Sequence, residues 1–270
     1  MNHTIERSGE RAGISGADRA SSSPAPYAGD SHTRALHAAE RNRLLHGLSI
    51  AAYEQLAPHL EPTDLTAGQV LWEPDELIRV VYFPRTAVCS LVTPLSDEAP
   101  VESATVGCEG MVGAPVVLGA PVTHTRAITQ IAGAAARVDA ARFRDWLWEA
   151  EGALPFFLRY AQALIEQTAQ SVACNRRHEA AERCARWLLT TRDRVGSDRF
   201  ALPHQLLAAM LGVRRAGVTV AAGMLQRAGF ISYERGRVTV LDAERLEEAS
   251  CECYRVVRTR QERLLGRSPA

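Results

Sequence analysis

Apolar residues between positions 36 and 60 recur at threes and fours: Leu44, Leu45 and Leu48, then Tyr53, Leu56 and Leu60. That spacing predicts short helices, with Ser49 capping the second. From Pro62 the period falls towards two. Val70 with Trp72, Ile78 to Phe83, Val88–Ser90–Val92, Val101–Ser103–Thr105, Ala127 to Ile131 and Ala135 to Val138 read as short strands. Gly68, Pro74, Pro94, Pro100, Gly107, Gly113, Gly119 and Gly133 punctuate them. Many short strands broken by turns predict a sandwich or jelly-roll barrel.

From Ala140 the period is helical again. Residues 155–192 hold no glycine and, after Pro155, no proline. Phe157, Ala161, Leu164, Thr168 and Val172 make a narrow stripe along this stretch. Such a seam suits helix-against-helix packing, so the stripe predicts a homodimer interface. The alternative is a helix packed on its own barrel.

Residues 204–221 read as helix, tight turn, helix. Pro203 suits the first helical position. Ala208 is small where two helices cross, and Gly212 suits a turn of positive φ. Leu207, Leu211, Val218 and Leu225 would share one core. Residues 231–240 then alternate about Arg235-Gly236, as a β-hairpin wing does. A winged helix-turn-helix places its second helix in the major groove of double-stranded DNA. Arg214, Arg215, Ala216, Thr219 and Val220 are then the candidates for DNA contact on that helix. Arg235 and Arg237 are the candidates on the wing, where arginine suits phosphates.

Composition sharpens this picture. The 270 residues are 46% hydrophobic and 23% charged, ordinary values for a globular protein of about two domains. The net charge is zero, yet unevenly spread. Residues 41–154 hold 8 arginines and 14 acids, whereas residues 175–270 hold 18 arginines and 11 acids. A basic final third is where a polyanion would bind. No run of 18 uncharged apolar residues occurs, and the charged N-terminus lacks an apolar signal segment, so the expectation is a cytoplasmic protein without membrane contact. Residues 1–35, rich in Ser, Gly, Ala and Pro, are expected to be a disordered tail.

Catalytic signatures are missing. No G-x-S-x-G elbow, Walker loop, G-x-G-x-x-G unit or H-E-x-x-H occurs. The strand-bearing stretch from Pro62 to Val138 offers only His124, which disfavours a metal-dependent barrel enzyme. Cys174, His178 and Cys184 form C-x3-H-x5-C, but zinc wants a fourth ligand and none is near in sequence. Cys251-Glu252-Cys253 is not the C-x-x-C redox spacing. No enzyme, cofactor or metal is therefore expected.

Several stretches resemble the Crp/Fnr superfamily of bacterial transcription regulators: Leu71-Trp72-Glu73-Pro74, Val81-Tyr82-Phe83-Pro84, residues 107–113, Ala173-Cys174-Asn175-Arg176 with His178, and Leu211-Gly212-Val213-Arg214-Arg215. The resemblance spans about residues 40–257. It implies an α+β chain: a cyclic-nucleotide-binding-like jelly roll, a dimerisation helix and a DNA-binding domain. If the output is activation, RNA polymerase is an implied partner. In the best-known members the reading helix carries Arg-Glu and then Arg four residues after the Glu. Arg215 matches the first, but Ala216 and Val220 replace the others, which implies a different base sequence. Cyclic-nucleotide binders also carry Gly-Glu and, later, Arg-Ser/Thr-Ala. Here Gly113-Ala114-Pro115 lacks the Glu, and Arg126 falls one place late, facing the other side of its strand. The barrel is expected to sense an unidentified signal other than cAMP. No cysteine precedes Cys89, which excludes an N-terminal iron–sulfur cluster of the family's kind.

The division that follows is a tail at 1–35, a sensor barrel at 36–152, a dimerisation helix at 153–182, a winged helix-turn-helix at 183–257 and a C-terminal tail at 258–270. The competing expectation is a small-molecule or redox sensor that acts through a protein partner.

Overall fold

The computed structural model describes residues 31–96 and 101–266. Three short helices open it: α1 (Ser31–Ala38), α2 (Arg43–His46) and α3 (Ile50–Leu56). Residues 31–35, read with the tail, are thus already helical, while residues 1–30 lie outside the described residues. Ser49 caps α3 as expected, its hydroxyl accepting from the Ala52 amide. Asn42, fully buried, does more. Its side-chain oxygen accepts from the Leu44 and Leu45 amides, and its nitrogen donates to the carbonyls of Pro84 and Gly110, each at 2.8 Å. One side chain thereby fastens these helices to the barrel.

The barrel strands are β1 (Glu61–Leu65), β2 (Val70–Trp72), β3 (Val80–Pro84), β4 (Val88–Thr93) and β5 (Val101–Val106). After a short α4 (Ala114–Val117) come β6 (Arg126–Ile131) and β7 (Gly133–Asp139). They pair antiparallel in two sheets, ordered β1-β7-β3 and β2-β6-β4-β5. Trp72, Ile78, Val81, Phe83, Cys89, Val106 and Ala127 fill the space between them. Alternation explains which residues point inward: in β6, Ala127 is buried while Arg126 faces outward to pair with Glu73 at 2.6 Å.

Helix α5 (Ala140–Glu149) closes the barrel, and α6 (Ala153–Arg177) leaves it. Phe157 docks α6, meeting Phe83, Phe143 and Trp146 edge-to-face. The continuous helix expected over 153–182 ends at Arg177. His178 is extended, and Glu179 opens α7 (Ala180–Val195) with a reciprocal capping box to Glu182. That box breaks the helix without glycine or proline.

The C-terminal part continues as β8 (Arg199–Ala201), α8 (His204–Leu211), α9 (Arg215–Arg227), β9 (Ile231–Glu234), β10 (Arg237–Val240), α10 (Ala243–Glu248) and α11 (Cys253–Leu265). Its core gathers Cys184, Leu188, Leu207, Leu211, Val218, Leu225, Ile231 and Val238. Residues 258–265, expected to be tail, are instead the body of α11. This helix lies along α6, with Arg159 donating to the Leu264 carbonyl and Gln261 to the Gln167 side chain. The sequence hid it because its half-buried side, including Val256, Val257 and Gln261, is interrupted by arginines. No single helix among the described residues is long and apolar enough to cross a membrane.

Candidate nucleic-acid interface

Helices α8 and α9 meet at 99°, within the range for a helix-turn-helix. Gly212 makes the turn at φ +58°, a left-handed conformation that a side chain would resist. Pro203 stands at the N-cap of α8, one place ahead of the position expected. Leu207, Leu211, Val218 and Leu225 are all buried between the two helices and α7. Amphipathic spacing thereby turns the opposite face of α9 to solvent.

That face carries Arg214, Arg215, Ala216, Thr219 and Val220, each exposed. Val220 leaves 61% of its surface in water, an apolar residue that the described residues leave largely uncovered. Met224, one turn on, is likewise exposed, and the sequence pattern alone did not mark it. Arg215 donates to the Gln205 side chain at 2.8 Å. Gln205, also unmarked by the pattern, sits on α8, ten residues from its partner, where no motif points to it. The Thr219 hydroxyl donates back to the Arg215 carbonyl at 3.1 Å, which leaves its methyl and an oxygen lone pair outward.

The wing is a hairpin of β9 and β10 with β8 on its other edge. Arg235 and Gly236 both take positive φ, +48° and +76°, as a two-residue type I′ turn requires. Arg235 and Arg237 are exposed. Tyr233 ties the wing to α8. Its hydroxyl donates to the Leu202 carbonyl at 2.6 Å and its ring packs on His204 at 4.6 Å. Burial pushes the Tyr233 pKa up to about 12, so it remains a protonated donor.

The sequence of residues 182–249 matches the Crp-like helix-turn-helix domain. By sequence, the C-terminal unit is similar to that family of domains.

No curated protein matches the chain by sequence. Solved structures resemble it in fold. FixK2 from Bradyrhizobium japonicum superposes with TM-score 0.61 at 16% identity, covering 71% of this chain and 98% of FixK2. TTHB099, a CRP-family transcriptional regulator from Thermus thermophilus, gives 0.57 at 18%, covering 70% and 96%. CLP, a c-di-GMP-responsive global regulator from Xanthomonas campestris, gives 0.53 at 14%, covering 71% and 99%. The barrel, the long helix and the Crp-like domain thus follow each other in the same fold as in these solved structures.

The Crp-like domain rests against its own barrel. Val88 and Ile131 of the barrel join its core, and Gln130 donates to the Met210 sulfur at 2.9 Å. Arg194 of α7 reaches Glu109 in the barrel loop at 2.8 Å and Gln167 of α6 at 3.1 Å.

Along α6 the structure separates the residues that the stripe united. Phe157 is buried in the core of its own barrel, Ala161 is buried as well, and Leu164 packs on that barrel core. Thr168 is half-buried, its hydroxyl bonded to the Leu164 carbonyl. Val172 alone of the five is exposed. The exposed large apolar residues of α6 are Leu158, Ile165 and Val172, seven apart on one line. Spacing finds apolar rows, but it does not tell which row the chain's own core has claimed.

Proposed function

We propose that this protein is a homodimeric, sequence-specific DNA-binding transcription regulator of the Crp/Fnr type. The observation that carries the reading is the free face of α9, with Arg214, Arg215, Ala216, Thr219 and Val220 beside a wing that presents Arg235 and Arg237. Arg215 is the base reader: a guanidinium grips guanine O6 and N7 in a pair worth ~1–3 kcal/mol of discrimination. Gln205 pre-orients it. Ala216, Val220 and the Thr219 methyl offer apolar contact, which suits thymine methyls. Arg214, Arg235 and Arg237 bind phosphates and set the register.

Leu158, Ile165 and Val172 supply the dimer seam, since a heptad row left in water is what a second copy of α6 would cover. Two recognition helices about 34 Å apart would then read a pseudo-palindrome. The barrel biases the dimer geometry through α6 and the buried contacts of Arg194. Its signal is something other than a cyclic nucleotide held by Arg126, because that guanidinium is committed to Glu73 on the outer face.

Selection of bound fragments from sheared genomic DNA, followed by affinity at two salt concentrations, tests this reading. A two-fold symmetric motif whose affinity falls steeply with salt is expected. Weak binding blind to sequence, in a protein that remains monomeric, would overturn it.

A further inference from the structure

Four potential metal ligands that are scattered in sequence meet at the joint between α6 and the Crp-like domain. Cys174 lies in the last turn of α6, His178 is the residue after its end, Cys251 precedes α11 and Cys253 begins it. Their ligand atoms all lie within 4.8 Å of one another. Cys174 Sγ and Cys251 Sγ are 3.5 Å apart, and Cys253 Sγ is 3.6 Å from His178 Nδ1.

We propose that Cys174, His178, Cys251 and Cys253 form a tetrahedral Cys3His site for a structural Zn2+ ion. With Zn–S near 2.3 Å and Zn–N near 2.0–2.1 Å, tetrahedral geometry puts ligand sulfurs about 3.8 Å apart and sulfur and nitrogen about 3.6 Å apart. Closure around the ion therefore asks for shifts of only tenths of an ångström at the two measured pairs. Three thiolates and an imidazole also suit a borderline-soft cation better than calcium or magnesium.

The surrounding groups fit the same role. His178 Nε2 lies 3.0 Å from the Glu252 carboxylate. An Nε2–H donated there leaves Nδ1 free to bind metal, the carboxylate–histidine–metal relation. Gln170 Nε2 donates to Cys253 Sγ at 3.0 Å, a bond that favours a thiolate. The three sulfurs form a small cluster of their own, apart from both hydrophobic cores. Cys89 and Cys184, by contrast, sit inside the barrel core and the helix-turn-helix core as small apolar residues do. The C-x3-H-x5-C spacing named the wrong third ligand: Cys184 belongs to a core, and Cys251 and Cys253 replace it across 77 residues. An ion here would pin α11 and the end of the Crp-like domain to α6, where the helix breaks.

The test uses the full-length protein, purified reduced and without chelator. Elemental analysis is expected to find about one zinc per protomer, and Co2+ exchanged for it should give thiolate-to-cobalt charge transfer with the intense d–d bands of a tetrahedral site. Cys253→Ser and His178→Gln should each weaken Zn2+ binding by at least roughly ten-fold against a chromophoric chelator, and Cys184→Ser should leave it unchanged. Hydrogen exchange in α11 should quicken when the ion is withdrawn. Wild-type protein, reduced and supplied with Zn2+, that holds less than about a tenth of an ion per protomer after desalting would overturn the site without recourse to any variant. A Cys174–Cys251 disulfide that persists in reducing buffer and excludes the ion would overturn it too. None of these readouts involves DNA, so the result stands apart from the DNA-reading proposal.

Discussion

Arg194 donates to Glu109 at 2.8 Å, and neither side chain keeps more than 8% of its surface in water. The pair joins α7 to the barrel's glycine-rich loop. Gln167 of α6 accepts a second bond from Arg194 at 3.1 Å, Thr105 of β5 accepts a third, and the Gly107 amide donates to Glu109. Barrel, long helix and Crp-like domain therefore meet on one guanidinium. Removing one member of a buried pair strands the other charge and costs about 3–5 kcal/mol. Arg194→Met should lower stability by that order in urea unfolding, and Glu109→Gln by somewhat less. The double variant should recover part of the loss, because it leaves no unpaired charge; strict additivity would show that the two groups do not depend on each other.

Gly107 shows how close the approach is. A Cβ built there would lie 2.5 Å from Arg194 Cβ and 2.6 Å from its Cγ, inside the contact distance of real side chains. Both are near the backbone end of a buried residue, so neither can swing away. Gly107→Ala should destabilise by about 1–3 kcal/mol, the cost of overpacking. Gly68→Ala offers a comparison, since its Cβ would meet nothing within 4 Å and only its positive φ opposes the change.

The elements legible in the sequence are those whose signals are local. The strand period, Gly212 in its turn, and Arg235-Gly236 in its hairpin each act within a few residues, and the structure holds them where the pattern put them. What stayed hidden depends on partners far along the chain. Glu179 and Glu182 break a long helix with a capping box that glycine and proline do not announce. Phe157 reads as a partner for a second copy, yet Phe83 and Trp146 of its own barrel cover it. Gln205 meets Arg215 only when α8 packs beside α9, and Cys174, with His178 already near in sequence, meets Cys251 and Cys253 only when α11 folds back on α6.

Burial pushes the Glu102 carboxyl from its ordinary value of 4.5 up to about 7, although hydrogen bonds from Ser90 at 2.8 Å and Gln130 at 3.0 Å and the charges of Arg194 and Arg186 pull the other way. The folded state then holds a proton that the unfolded state has lost between about pH 4.5 and 7, so this group makes stability fall as pH rises through that window. Glu102→Gln keeps a carbonyl oxygen for Ser90 and cannot ionise. Its stability relative to the wild type should be lowest near pH 4.5 and should rise to a plateau above pH 7, as read by urea unfolding across the range. A difference that stays flat with pH would return Glu102 to an ordinary carboxylate.

Ile165 lies at the middle of the row formed with Leu158 and Val172, with 56% of its surface in water. A carboxylate there costs the folded monomer little, because the described residues leave more than half of the side chain in water. Buried in a symmetric seam, two such charges would face each other without partners. Ile165→Asp should therefore shift sedimentation from dimer to monomer while the unfolding midpoint at low protein concentration hardly moves. Leu164→Asp should instead lower stability outright, because Leu164 packs on the barrel core. A dimer that survives Ile165→Asp would place the interface on another face.

Arg215 and Arg235 should separate on titration with DNA. Both are exposed, yet Arg215 begins α9 and is held by Gln205, whereas Arg235 sits at the tip of a hairpin. A base reader and a phosphate binder fail differently. Arg215→Ala should weaken binding to the selected site by ~1–3 kcal/mol and relax preference at one base position in each half-site. Arg235→Ala should weaken binding almost equally for all sequences and reduce the slope of log affinity against log salt by about one for each phosphate that the guanidinium had neutralised. Gln205→Ala should mimic a weaker Arg215→Ala, since it removes only the residue that orients the guanidinium. Equal loss on specific and random DNA for Arg215→Ala would take the base-reading role away from this arginine and leave α9 as a phosphate-binding helix.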